Sequence, residues 1–133
     1  MGFRSFFAKP FAKRVVTKHR LSHQNALDRQ DFWLSHHLKK AENTIFGQAF
    51  TFAKIRNYLE FKSIVPIAEY EDLKNYIDEM VLGSPNILWT GKPAYFAKTS
   101  GTTSGAKYIP LTKESLPFHM KAARDAILCS IHD

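Results

Sequence analysis

The sequence predicts an α/β fold in which several helices precede a strand, a glycine-rich loop, a second strand and a final helix. The chain has 133 residues, of which 44% are hydrophobic and 14% aromatic, so it has the composition and length of a globular protein with a core. Apolar residues recur at helical spacing up to Gly83. Glycines, prolines and short β-prone segments follow, which indicates a change from helix to sheet.

The first clearly periodic helix is predicted at about residues 24–41. Its apolar residues recur close to the helical period: Leu27, Leu34, Leu38 and Ala41. Residues 1–22 precede it as a basic segment, punctuated by Pro10 and by the polar residues at 22–25. We expect this segment to form a helix that packs its phenylalanines and exposes its lysines and arginines.

Residues 43–52 are predicted to form a buried loop or short turn, because Gly47 and three aromatic residues show no clear period. A second helical stretch is expected at about 54–62, ended by Pro66. The most regular helix follows at 70–82. Its apolar residues fall at i, i+3, i+4, i+7 and i+8: Leu73, Tyr76, Ile77, Met80 and Val81. Acidic residues near its start and Gly83 after its end favour this position.

Two short β-prone segments, 94–97 and 107–109, flank the glycine-rich loop, and Pro110 restricts the second to a sheet edge or a strand end. A last helix is predicted after Ser115, its expected N-cap. Its apolar positions are Met120, Ala123, Ile127 and Ile131. Because no helix stop signal precedes Asp133, we expect the chain to be the front part of a longer protein.

The net charge of +7 is concentrated near the N-terminus. Residues 1–40 contain nine Lys or Arg and two Asp or Glu, whereas residues 41–133 contain ten of each. A nucleic-acid-binding module, an organellar transit peptide and a membrane-surface helix are alternatives for this segment. Nucleic acid is the less favoured partner because no reader motif is present. No apolar run is long enough to span a membrane, and a single cysteine, Cys129, favours the cytoplasm.

The histidines do not predict a metal site. His19 and His23 stand four residues apart, as ligands on one helix face would, but no third ligand is evident. His36 and His37 are adjacent, so on a helix they point about 100° apart. We therefore expect His19 and His23 to be solvated, and we expect no bound metal at either pair.

A run of hydroxyl residues and glycines closed by a lysine has the composition of a phosphate-binding loop: Thr99, Ser100, Gly101, Thr102, Thr103, Ser104, Gly105, Ala106 and Lys107. The spacing differs from a Walker loop, since only three residues separate the two glycines and Ala106 precedes the lysine. It also lacks the three glycines of a dinucleotide-binding fingerprint. A plain hairpin connection is the alternative for this run, and a solvated lysine at a strand end is the alternative for Lys107.

The loop and its neighbours resemble a known family. The run 99–107 is similar to the phosphate loop of the luciferase-like adenylate-forming enzymes. Further similar blocks flank it in order: Ala41 with 44–47, Phe61 with 65–67, 70–73 with 76–77, 88–89 with 91–93, and 108–112. Together they resemble the N-terminal part of the auxin-responsive (Gretchen Hagen) acyl acid-amido synthetases, the bacterial members more than the plant ones, over about residues 24–131.

The resemblance implies a ligase that converts a carboxylic acid to an acyl-adenylate with ATP and then forms an amide with an amino acid. Ser100, Thr102, Thr103 and the backbones of Gly101 and Gly105 would hold the outer phosphates of ATP beside Mg²⁺. Many members have a glutamate where this chain has Ala106, so that carboxylate is missing. The catalytic residues stay unknown, because the family's later motifs have no counterpart here.

The expected organisation is therefore a basic segment at 1–22 and the N-terminal part of an adenylate-forming domain at 23–133, truncated at 133. We expect this chain alone to be inactive and to need the C-terminal remainder of its own protein as a partner. A fragment that only binds, or that folds only beside that remainder, is a further alternative.

Overall fold

The computed structural model describes the backbone of residues 3–100 and 105–132, and the side chains of these residues except 3–7 and 23. The elements in chain order are α1 (Phe3–Gln24), α2 (Ala26–Ala41), α3 (Ile45–Ala49), a 3₁₀ turn (Phe52–Lys54), α4 (Tyr58–Ile64), α5 (Tyr70–Val81), β1 (Tyr95–Lys98), β2 (Tyr108–Leu111) and α6 (Leu116–His132). The described part is thus mostly helical with a two-stranded sheet, and the predicted order of helices, two strands and a final helix is confirmed.

The chain divides into two compact units. The first comprises Met1–Arg29 with Glu114–Asp133, and the second comprises Gln30–Lys113. This division into units does not test the predicted domain boundary between residues 22 and 23, which stays a prediction. No helix within the described ranges is long and apolar enough to cross a membrane.

In the first unit, α1 packs against α6. The helix expected for the basic segment forms, and α1 continues through Pro10. Proline removes one backbone hydrogen bond from a helix interior, and packing against a second helix can outweigh that cost. The prediction that α1 packs its phenylalanines is wrong for Phe11, which is 68% exposed. Among the described side chains of α1, Ala12 is fully buried, because a small side chain allows the helices to approach closely.

Helix α6 forms where the sequence predicted it but buries a different face. Met120 and Ile127, two of the predicted apolar positions, are 72% and 64% exposed. The buried residue of α6 is instead Asp125, which is 6% exposed. Helical periodicity identifies an apolar stripe but not the face that a neighbouring helix covers.

In the second unit, the core lies where the end of α2 meets the segment that follows α3. Its buried residues are Leu38, Ala41, Phe52 and Ile55. Partly buried side chains surround them: Leu34, Phe46, Phe50, Phe61, Val65 and Trp89. The predicted helix at about 24–41 is confirmed, and its spacing correctly placed Leu34, Leu38 and Ala41 on the core face.

Residues 43–52 contain α3 rather than only a loop or short turn. Thr44 is fully buried and caps this helix, because its hydroxyl donates to the Ala41 carbonyl (2.7 Å) and accepts from the Gly47 N–H (2.9 Å). The N–H groups of Ile45 and Phe46 donate to the carbonyls of residues 86 and 87, at 2.9 and 3.0 Å. A five-residue helix is too short to show a period, so these non-local bonds were invisible to a pattern search.

Helices α4 and α5 begin at well-formed caps. The predicted stretch at 54–62 is shifted, since Asn57 accepts from the Glu60 N–H and α4 starts at Tyr58. Helix α5 matches the prediction: the Glu69 N–H donates to Asp72 at 2.8 Å, and Gly83 follows the helix with φ +94°.

Candidate functional site

Strands β1 and β2 pair antiparallel, with Lys98 opposite Tyr108, and place the two ends of the predicted loop side by side. The Thr99 N–H donates to the Lys107 carbonyl at 3.0 Å. The Lys107 N–H donates to the Thr99 side-chain oxygen, Oγ1, at 3.2 Å. In a regular antiparallel pair this second bond would go to the backbone carbonyl. The Thr99 hydroxyl therefore replaces a backbone acceptor and closes the loop, and it still has its own hydrogen to donate.

The described loop residues on either side of 101–104 are exposed to solvent. Ser100, Gly105 and Ala106 are exposed. Gly105 has φ +80°, and no heavy atom lies within 4 Å of the position that a Cβ would occupy. Backbone conformation rather than crowding therefore favours glycine here. The predicted phosphate ligands Gly101, Thr102, Thr103 and Ser104 lie outside the described residues, so their role stays a prediction.

Lys107 provides a positive charge at the mouth of this loop. Its side chain is half-buried, and its ammonium lies 5.1 Å from the centre of the Tyr70 ring. Among the ion pairs of the described residues, none involves Lys107. Its charge is therefore held beside an aromatic face rather than neutralised by a carboxylate, which leaves it able to attract an anion.

Tyr70 is the residue of this site that sequence reasoning missed. It begins α5, and its hydroxyl accepts a hydrogen bond from the Tyr108 N–H at 2.9 Å, across 38 residues of sequence. Helix α5 thereby contacts β2 next to the loop. Residues 70–73 form one of the blocks on which the family resemblance rests, but nothing in the nearby sequence indicates that Tyr70 contacts Tyr108.

The described hairpin thus brings together Thr99 and Lys107, with Ser100 and Gly105 adjacent to them in sequence. This set offers hydroxyl hydrogens, backbone N–H groups and one ammonium, which are donors that suit phosphate oxygens. Within the described ranges, no group of three or more His, Cys, Asp or Glu side chains is arranged to hold a metal ion. The donors of this hairpin would suit an anionic ligand.

A separate charged cluster lies in the first unit, around the buried Asp125. Its carboxylate is contacted by Arg124 at 2.7 Å, by Lys121 at 3.3 Å and by His19 at 3.5 Å. The hydrogen bond from Arg124, followed by that from Lys121, holds the pKa of Asp125 below its ordinary value despite burial. His19, expected to be solvated, is half exposed and lies beside this carboxylate.

This cluster borders a cavity of about 600 Å³ within the first unit. Apolar side chains, including Phe11 and Leu128, line it together with Arg14 and Lys18. Sequence reasoning did not predict it, because it depends on how α1 and α6 pack.

The adjacent histidines of α2 belong to an aromatic cluster in the second unit. His37 stacks on Trp33 with ring centres 5.5 Å apart and meets Trp89 edge-on at 5.6 Å. Partial burial lowers the pKa of His37, and the neighbouring His36 lowers it further. We infer a packing role for His37.

Comparison with known proteins gives one family. The GH3 family N-terminal domain matches residues 16–129. The probable indole-3-acetic acid-amido synthetase GH3.13 of Oryza sativa subsp. japonica is 45% identical over 58 residues, which are 42% of this chain and 12% of that protein. The indole-3-acetic acid-amido synthetase GH3.15 of Arabidopsis thaliana is 45% identical over 58 residues, which are 42% of this chain and 10% of that protein.

These matches cover only about a tenth of the length of either relative. They agree with the resemblance to the Gretchen Hagen family drawn from the loop and its flanking blocks. The family match itself covers more than four fifths of the chain. The chain therefore belongs to the GH3 family, within its N-terminal domain.

Proposed function

We propose that the complete gene product is an ATP-dependent acyl acid-amido synthetase and that this chain is the front part of its adenylate-forming domain. Two observations support the proposal. The chain belongs to the GH3 family, and both relatives compared above are named as indole-3-acetic acid-amido synthetases. The hairpin also holds Thr99 and Lys107 together at the mouth of a loop made of glycines and hydroxyl residues. That hairpin is the observation on which the proposal most depends.

The proposed reaction has two steps. A carboxylate oxygen of the acid attacks the α-phosphorus of ATP, and the bond to the β-phosphate oxygen breaks, which releases pyrophosphate and forms an acyl-adenylate. An amino acid's amine then attacks the acyl carbon, AMP leaves with the former carboxylate oxygen, and the amine gives up a proton.

In the first step, the loop residues orient and stabilise the leaving pyrophosphate. The Thr99 hydroxyl and the Lys107 ammonium are the described groups positioned for this task. Ser100, Gly105 and the run 101–104 complete the proposed donor set. Because negative charge grows on the leaving oxygens, fixed donors at this loop that bind the phosphates of ATP also stabilise the transition state.

The donor set also bears on Mg²⁺. The described residues of the loop offer hydroxyl and backbone groups but no carboxylate, and Ala106 stands where many family members have a glutamate. Such a set fits an ion that is bound mainly through the phosphates of ATP and retains water ligands. Mg²⁺ would supply charge neutralisation on the phosphates.

Two finer proposals concern the type and location of the protein. Ala106 supports a protein of the bacterial rather than the plant type of the family. The similarity of the run 99–107 to the phosphate loop of luciferase-like enzymes supports membership of the adenylate-forming superfamily. The single cysteine, Cys129, and the requirement for ATP support a cytoplasmic enzyme. Its partners would be a small carboxylic acid, an amino acid and the remainder of its own protein.

The test is AMP and pyrophosphate formation by the complete gene product with ATP, Mg²⁺, amino acids and a panel of carboxylic acids. Lys107→Met should lower kcat/KM for ATP about 10- to 100-fold, because a hydrogen bond to an ionised group is lost. Lys113→Met is the matched control, since Lys113 is an exposed lysine just after β2 and should be replaceable. If no acid supports AMP formation by the wild type, the proposal is wrong.

A further inference from the structure

Tyr70 makes two contacts with consecutive residues on the exit side of the loop. Its hydroxyl accepts the Tyr108 N–H at 2.9 Å. Its ring faces the Lys107 ammonium, whose nitrogen lies 5.1 Å from the ring centre. One half-buried side chain at the start of α5 therefore fixes both the backbone of β2 and the charged end of Lys107.

We infer that Tyr70 is a positioning residue for the phosphate site, because it holds the Lys107 ammonium and the first residue of β2 in place for an anion at the loop. The inference rests on the proposed function and adds a residue outside the loop to it. Tyr70 acts through Lys107 and Tyr108 rather than by contact with the substrate.

The hydroxyl contact anchors the backbone. In a two-stranded sheet each strand has one unpaired edge, so the N–H groups on that edge need other acceptors. The Tyr70 hydroxyl supplies one for Tyr108 at the first residue of β2. Lys107 directly precedes this residue, so the position of its backbone depends on both the Thr99 pair and the Tyr70 bond.

The ring contact limits the side chain. A lysine side chain has four rotatable bonds, and fixing it costs entropy when it binds an anion. A ring face that attracts the ammonium reduces the number of positions that Lys107 samples before the anion arrives. An ordered ammonium loses less entropy on binding, so we expect tighter binding of ATP rather than a change in the chemistry of the acid or amine.

Two variants separate the two contacts. Tyr70→Phe keeps the ring and removes the hydroxyl, whereas Tyr70→Leu removes both. Tyr58→Phe is the matched control, because Tyr58 also begins a helix after its N-cap but is 57% exposed, and no hydrogen bond of its hydroxyl is found among the described residues. All proteins are compared as complete gene products with matched circular dichroism spectra.

The expected result is a rise in KM for ATP of about two- to tenfold for Tyr70→Phe, from the lost hydrogen bond. Tyr70→Leu should raise it about two- to fivefold further, from the lost ring contact. KM for the carboxylic acid should not change, and Tyr58→Phe should equal the wild type. A merely structural role would lower the active fraction, and thus kcat, without this selective rise in KM.

Binding of inorganic pyrophosphate with Mg²⁺, measured by calorimetry on the same proteins, separates the two proposals. If the wild type forms no AMP but binds pyrophosphate, and Tyr70→Phe weakens that binding, the proposed function is wrong and the role of Tyr70 is supported. If the wild type is active and Tyr70→Phe matches it in KM for ATP and in pyrophosphate binding, the role of Tyr70 is overturned. A wild type that neither forms AMP nor binds pyrophosphate overturns both.

Discussion

Replacing Gly47 with alanine should destabilise the second unit, although alanine is the better helix former. A Cβ on Gly47 would lie 2.0 Å from the Ala41 carbonyl oxygen and 3.1 Å from the Thr44 hydroxyl oxygen. The oxygen at 2.0 Å belongs to the backbone of Ala41, which cannot rotate away as a side chain can. The turn that joins α2 to α3 must therefore open to accept the methyl group.

The size of the effect follows from three contributions. Forcing one extra carbon into a packed site costs about 1 to 3 kcal/mol. Opening the turn weakens the bonds from the Thr44 hydroxyl to Ala41 and from the Gly47 N–H to that hydroxyl, at about 0.5 to 1.5 kcal/mol each. Alanine returns about 1 kcal/mol of helix propensity. We expect a net loss of about 1 to 5 kcal/mol, which corresponds to a fall in Tm of roughly 3 to 20 °C.

Urea unfolding followed by tryptophan fluorescence measures this loss. Both tryptophans of the chain, Trp33 and Trp89, lie in the second unit, so their signal reports on the unit that contains Gly47. Gln48→Ala is the matched control, because Gln48 is an exposed neighbour in α3 and should change stability by less than about 0.5 kcal/mol. A Gly47→Ala variant as stable as the wild type would refute the close approach of α3 to Ala41.

Three further predictions concern one buried hydroxyl and two groups whose pKa is shifted. Thr44→Val should cost about 1 to 3 kcal/mol in urea unfolding, because it removes both hydrogen bonds of the hydroxyl and leaves the buried Gly47 N–H without its acceptor. Thr44→Ser should keep most of the stability; equal losses would contradict the cap. Asp125→Asn should lower the free energy of unfolding at pH 7, because the carboxylate stabilises the fold only while it is ionised. The difference in this free energy between the variant and the wild type should shrink as the pH falls below 3.8 and through the lower pKa of the folded state. A difference that is constant with pH would contradict this. The pKa of His37, followed by NMR, should lie below 6.5, so this group lowers stability as the pH falls below 6.5, and a pKa at or above 6.5 would contradict its partial burial.

Elements with a local cause were predictable from the sequence. Helix α5 has an amphipathic period, acidic residues at its start and Gly83 after its end, and each of these acts within a few residues. The hairpin was predictable for the same reason, since short β-prone segments flank a run rich in glycine. The match of Thr99 with Lys107 follows once both strands are placed.

Features that depend on contacts between distant segments were not predictable. Thr44 and Gly47 form a cap whose stability depends on hydrogen bonds to residues 86 and 87. Tyr70 reaches Tyr108 across 38 residues of sequence. The burial of Asp125, where the pattern favoured apolar residues of α6, depends on the face that packs toward α1. Periodicity shows which residues share a face, but not what that face will contact.

The exchange of labelled pyrophosphate into ATP by the complete gene product tests the central claim most directly. An enzyme that forms an acyl-adenylate reverses its first step, so exchange should require ATP, Mg²⁺ and a carboxylic acid but no amino acid. We predict such acid-dependent exchange in the wild type and an exchange rate about 10- to 100-fold lower in Lys107→Met, with Lys113→Met unaffected. Acid-dependent formation of ADP and phosphate without exchange, or no reaction with any acid, would contradict the account.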